Sequence, residues 1–372
     1  MVGSREDRAE SFATSSSLNG FQEKTRPVNP IPKTENRKPN TAWLRDPDNP
    51  TIRPQSGSWK NDRCTSSTVT FKDGTCYFYH DGGIGSWWNG VPGFNWIGLL
   101  TCPEDQFDGK TFTPFECNPI LTHGRFCDID RIGMISPRVA LIDGQFFLYY
   151  CTVTYDRFVP GTQPRWIKNI GLAISDDGIN FEKCPDAVLD IGPEASAGVP
   201  NVIRRDGRWN MLYSFGPSDR NEGVSIHLTE SDDPRHFHGA SERVFGPEDP
   251  EAWDGNSIVT PAICLDPESG WYYMLYGGCS RHWDYPASYG LARSRDLRAW
   301  ERHPANPVIE RGGPDDWDGG AMWITEFIKV GSRYYAWYEG RSAGRDRSEE
   351  YSPGAVKQIG LMTLDGDPWE SA

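Results

Sequence analysis

The chain has 372 residues, with 52 acidic against 38 basic side chains and a formal charge of −14. That balance repels phosphate backbones and anionic lipid, which excludes nucleic acid and membrane surfaces as partners. Aromatic residues make up 13% of the chain, 15 of them Trp, beside 39 Gly and 29 Pro, a profile of many short strands joined by tight turns.

The first 40 residues are polar and aperiodic and read as an extended arm, leaving 41–372 as one domain. The opening MVGSREDRAESFATSSS has no apolar leader segment, so a cytoplasmic location is expected. WLRDPDNPTI from Trp43 is a strand without a hairpin partner in sequence. A hairpin follows, STVTFKDGTCYFYH from Ser67, then a third strand, WIGLLTCPED from Trp96, and an outer segment, CNPIL from Cys117. The unit recurs as SPRVALIDGQFFLYY (Ser136), NIGLAISDDG (Asn169) and AVLDI (Ala187), and again as VPNVIRRDGRWNMLYSF (Val199), SIHLTESDDP (Ser225) and RVFGP (Arg243). A fourth copy is TPAICLDPESGWYYMLYGG (Thr260), SYGLARSRDL (Ser288) and ANPVI (Ala305), and a fifth is ITEFIKVGSRYYAWYEG (Ile324) and QIGLMTLDGD (Gln358).

Apolar strand, Asp-Gly turn and aromatic strand form a β-hairpin by pattern. Five such four-strand units predict an all-β fold, a five-bladed β-propeller. The fifth unit lacks an outer strand, so the strand at Trp43 is predicted to close the last blade and remove an exposed edge. The nine Cys are odd in number and contain no CxxC pair, which reads as reduced, mostly buried thiols and no metal site.

The loops leading into the innermost strands line one end of a propeller's axis, and every one here carries a carboxylate: SGSWKNDRCTS, FCDIDRIGMIS, IGPEASAGV, PEAWDGNSIVT and PDDWDGGAMWI. Glycosidic cleavage needs two carboxyl groups facing across the sugar, one protonated and one ionised. Asp254 and Asp318 follow a Trp at matching positions and read as a repeated structural cap, with Asp130 in the same register. Asp62 and Glu194 break the register and are the candidates for base or nucleophile and for general acid, with Asp130 orienting the acid. Glu326, just inside the fifth inner strand, points toward the axis. Trp87, Trp88 and Trp283 are candidate sugar platforms, and Arg138 and His282 candidate hydroxyl ligands. No cofactor is required.

SPRVALIDGQFFLYY, IGLAISDDGINFEK, ANPVIERG and WDGGAMWITEFIKVGSRYYAWYEG resemble the scaffold signatures of the five-bladed propeller glycosidases, the arabinanase and xylosidase group (family 43) and the invertase and fructosidase group (family 32). The resemblance covers roughly residues 43 to 366. It implies a carboxylate immediately before the inner-strand Pro on the first three blades, where this chain has Ser66, Ser136 and Val199 or Gly198; the nearest acids lie upstream, at Asp62, Asp130 and Glu194. The expected activity is hydrolysis of a furanoside oligo- or polysaccharide. The alternatives are a glycoside phosphorylase, which would need Arg or His at the tunnel mouth, and a sugar-binding propeller without catalysis.

Overall fold

The computed structural model describes residues 42–85, 93–155, 166–217, 223–237, 241–280, 283–342 and 356–372. Its strands form five antiparallel blades. The chain opens with β1 (Leu44–Arg45) and enters blade I, built from β2 (Arg63–Lys72), β3 (Thr75–Ile84), β4 (Phe94–Pro103) and β5 (Thr113–Pro114). Blade II is β6 (Gly133–Ile142), β7 (Gln145–Tyr155), β8 (Trp166–Ile167), β9 (Ile170–Ser175) and β10 (Glu182–Lys183), with β8 a short partner at the end of β7. Blade III is β11 (Ala195–Arg205), β12 (Arg208–Pro217), β13 (Ser225–Ser231) and β14 (Glu242–Phe245). Blade IV is β15 (Ser257–Leu265), β16 (Tyr272–Ser280), β17 (Trp283–Ser294), β18 (Glu301–Arg302) and β19 (Ile309–Glu310). Blade V is β20 (Ala321–Val330), β21 (Arg333–Arg341) and β22 (Lys357–Asp365), and its outer strand is β1, with Leu44 opposite Thr363 and Ile52 bridging Ile359. The predicted closure by the chain ends is present.

Neighbouring blades bury their facing sides. Tyr79, Ile97 and Leu99 of blade I pack with Met134, Leu148 and Tyr150 of blade II, all fully buried. The Asn-Pro segments have a mechanical purpose: the side-chain amide of Asn118 accepts from Leu99 N and donates to Leu99 O, both at 2.8 Å. Asn306 does the same to Leu291 and Asn49 to Leu361, so one amide substitutes for a strand residue where the outer chain leaves the sheet. Six of the nine Cys are buried, and all nine are free thiols.

Every inner strand carries a bulge at the same height, around Ser66, Ser136-Pro137, Val199-Pro200, Thr260-Pro261 and Thr325. Ser136, Val199 and Thr260 have φ of 53°, 50° and 47°. For β-branched Val and Thr this backbone is rare, costing on the order of 1–3 kcal/mol each, and such strain clusters at functional sites. The bulges bend the five strands around the axis.

Candidate active site

Three of the five blades share a support that separates scaffold from site. In blade II, Asp130 is buried between Tyr150 Oη (3.3 Å) and Lys183 Nζ (2.6 Å). Blade IV repeats it with Asp254, Tyr276 and Arg302, and blade V with Asp318, Tyr338 (3.0 Å) and Arg45 (3.1 Å). The cation comes from the outermost strand each time. Asp254 and Asp318 are the caps expected of them. Asp130 belongs with them and not beside a catalytic acid, because its partners, Tyr150 on β7 and Lys183 on β10, hold it to the second and outermost strands of its own blade. Where the entry loop carries a Trp, the ring packs against glycine: a Cβ at Gly82 would stand 2.8 Å from the Trp59 ring in blade I, and one at Gly360 2.7 Å from Trp317 in blade V.

Blade I departs from this support. Lys60 and His80 occupy the places of the Asp and the Tyr, and His80 is fully buried, stacked on Trp59 at 5.2 Å. Burial, helped by the Lys60 charge, pushes its pKa down to about 3, so the ring is neutral and its Nδ1 lies 3.0 Å from Asp81 O.

The next position on each second strand is fixed by its partner on the third: Asp81 opposite Ile97, Cys151 opposite Ile170, Ser214 opposite Ile226, Gly277 opposite Tyr289 and Glu339 opposite Ile359. Acids therefore stand on adjacent blades I and V. Two residues before those third-strand partners lie Asn95, Lys168, Val224, Ala287 and Lys357, where each third strand approaches the next inner strand. Asn95 pairs with Gly133, Lys168 with Ser196 and Lys357 with Arg63, all in parallel. The scaffold is repeated, and the chemistry at these two rings is not.

Asp81 has no exposed surface. Thr65 Oγ1 lies 2.6 Å from its Oδ1, and Asn95 Nδ2 donates to Oδ2 at 3.2 Å. Arg63 Nε donates to Asn95 Oδ1 at 2.8 Å, which fixes the amide with its NH2 toward Asp81. Burial raises the Asp81 pKa to about 7; the Thr65 hydroxyl opposes that rise and the Glu339 charge adds to it. Asp81 thus holds a proton at a pH where an ordinary carboxyl does not. Glu339, 6% exposed, pairs with Lys357 Nζ at 2.9 Å. Lys168 has no carboxylate partner among the described residues, and burial, then the nearby Lys357 charge, lowers its pKa. Two lysines that repel each other, one of them paired to the Glu339 whose charge reaches Asp81, make a place for an anion.

Asp62 is exposed at the rim, its Oδ2 accepting from Gly85 N at 2.6 Å, and Glu194 is exposed just before β11. Glu326 and Arg138 meet across the axis, Arg138 Nη1 2.7 Å from Glu326 Oε1, both 6% exposed. Thr68 Oγ1 and the amides of Val69 and Phe327 donate to the same carboxylate. Glu326 thereby ties the inner strands of blades II, I and V together below the bulges. Ser66 and Ser136, which stand where the resemblance implies acids, lie Oγ to Oγ at 3.4 Å. Trp87, Trp88, His282 and the side chain of Trp283 lie outside the described residues. Reading the five hairpins as columns brings the missed residues together: HDG, YCT, YSF, YGG and YEG align in the second strands, and NWIG, KNIG and KQIG open three of the third strands.

No family model matches the chain. A β-1,2-mannobiose phosphorylase of Thermoanaerobacter sp. (strain X514) is 30% identical over 131 residues, 32% of this chain and 42% of that relative, so the match spans less than half of its length. Among solved structures, the β-1,2-mannobiose phosphorylase from Listeria innocua, in complex with β-1,2-mannobiose, superposes with a TM-score of 0.63 at 15% identity, covering 87% of this chain and 96% of that one. A structure from the GH130 family of mannoside phosphorylases, described as containing glycoside hydrolases that target β-1,2-mannosidic linkages in Candida mannan, gives 0.62 at 16% identity over 89% and 97%. The fold is that of the propeller glycoside enzymes, and these relatives are mannoside enzymes. They do not confirm the resemblance to families 43 and 32, and none of the three is named for a furanoside, so the furanoside expectation finds no support in them.

Proposed function

We propose that the chain is a glycoside phosphorylase that cleaves a mannoside with inorganic phosphate. The observation that carries this reading is the pair of mutually repelling lysines Lys168 and Lys357, with Lys357 held at 2.9 Å by Glu339, the carboxylate whose charge helps raise Asp81. A hydrolase needs no such cations, since its nucleophile is water or a carboxylate. Phosphate held by the two lysines attacks the anomeric carbon as the bond from that carbon to the glycosidic oxygen breaks, and the leaving oxygen takes a proton. Asp81 is the proton source. It has no exposed surface, so the proton passes over the Thr65 hydroxyl, 2.6 Å away. Glu339 holds Lys357 in place and, by its charge, keeps the proton on Asp81. The products are a sugar 1-phosphate and the shortened saccharide.

The test is the rate of β-1,2-mannobiose loss against phosphate concentration. A rate that rises and saturates with phosphate supports phosphorolysis; an equal rate at zero phosphate makes the chain a hydrolase on the same scaffold.

A further inference from the structure

On the far side of β4 from Asp81 lies an aromatic shelf that the axial chemistry does not use. Successive residues of a strand face opposite sides, so Asn95 shares the face of Asp81 and of Ile97 and Leu99, which packs on blade II, while Phe94 and Trp96 turn to the opposite face. Their rings are nearly parallel, 10° apart with centroids at 6.0 Å. His123, from the loop that leads into β6, stacks on Phe94 at 4.5 Å and 25°. All three are partly exposed. Phe126 follows on the same loop with 89% of its surface exposed, the Arg131 guanidinium 5.6 Å from its ring centroid.

One hydrogen bond sets the chemistry of the shelf. Trp96 Nε1 donates to His123 Nδ1 at 2.8 Å. An indole N–H is donor only, so Nδ1 is the acceptor and the neutral imidazole carries its hydrogen on Nε2. The shelf thus offers flat apolar rings beside a fixed N–H donor, the combination that recognises a sugar, whose ring has one apolar face and a rim of hydroxyls. Its backbone continues directly into the axial site, since Arg63 donates to both Phe94 O and Asn95 Oδ1.

We infer that Phe94, Trp96, His123 and Phe126 form a subsite for a further sugar residue of the substrate, beyond the two that flank the cleaved bond. The inference rests on the carbohydrate reading of the axial chamber. It makes the enzyme prefer a trisaccharide or longer chain to a disaccharide. Exposed Phe126 and partly exposed His123 are replaced together, His123→Ala and Phe126→Ala, and binding of β-1,2-linked manno-oligosaccharides of two and three sugars is measured by calorimetry without phosphate. Affinity for the trisaccharide should fall about tenfold, the scale of one well-placed contact, with the disaccharide unchanged. Trp96→Phe, which keeps a ring but frees the imidazole, should lower trisaccharide affinity alone by a smaller factor. Equal loss at both lengths, or no loss at either, overturns the subsite. Selective loss in a protein that shows no phosphate-dependent cleavage keeps the subsite and removes phosphorolysis. A wild-type protein that binds neither sugar overturns both.

Discussion

Replacing Asp81 by Asn tests the most unusual group in the molecule. The buried carboxyl is held at about 7 against an ordinary 3.8, so the folded chain binds this proton more tightly than the unfolded chain does. A raised carboxyl contributes stability that is complete below pH 4 and is lost as pH rises through about 7. At about 1.4 kcal/mol per pH unit, the ionised group costs the folded state on the order of 4 kcal/mol above pH 7. Asparagine removes that cost and still fits: its carbonyl accepts from Asn95 and its NH2 donates to the Thr65 oxygen. Urea unfolding of both proteins between pH 4 and 8 should give curves that converge at the acid end and separate as pH rises, with the variant the more stable by up to that amount at pH 8. Its phosphorolysis should be abolished. Other titrating groups are common to both proteins and cancel in the difference. A stability difference that does not change with pH would refute the reasoning.

Lys168→Met should raise the KM for phosphate at least tenfold while slightly raising the melting temperature, because a desolvated cation is removed; steady-state kinetics and calorimetry read the two effects. Asp130→Asn should cost about 3–5 kcal/mol, the usual result of stripping one partner from a buried ion pair, measured by denaturation, with substrate affinity of the folded protein retained. Asn306→Ala removes two backbone-directed hydrogen bonds to Leu291 and should cost on the order of 1–3 kcal/mol without changing KM. Glu326→Gln leaves Arg138 without its counter-charge at the axis and should destabilise more strongly than Asp130→Asn, since three inner strands depend on it.

The fold was legible in the sequence because it is repetitive: five hairpins, three of them turning at Asp-Gly, and three Asn-Pro outer segments cannot be read as much else, and the orphan strand at Trp43 announced the closure. The site was less legible for the same reason. In the loops leading to the axis Asp62 and Glu194 are the conspicuous carboxyls, but both are exposed. The groups that converge at the axis come from second and third strands, where Asp81 and Glu339 follow aromatic runs that look like scaffold. Strand pairing shows that these two share one ring position with Cys151, Ser214 and Gly277. The support built on Asp130, Asp254 and Asp318 was half visible: the Trp-Asp loops gave two of its members, but the cations at Lys183, Arg302 and Arg45 lie on distant outer strands that no local pattern connects.

The central claim is tested most directly by incubating the purified protein with β-1,2-mannobiose and inorganic phosphate and following the phosphorus spectrum. The account predicts that a sugar 1-phosphate appears in step with free mannose, one for one. Free mannose without any phosphate ester would contradict it.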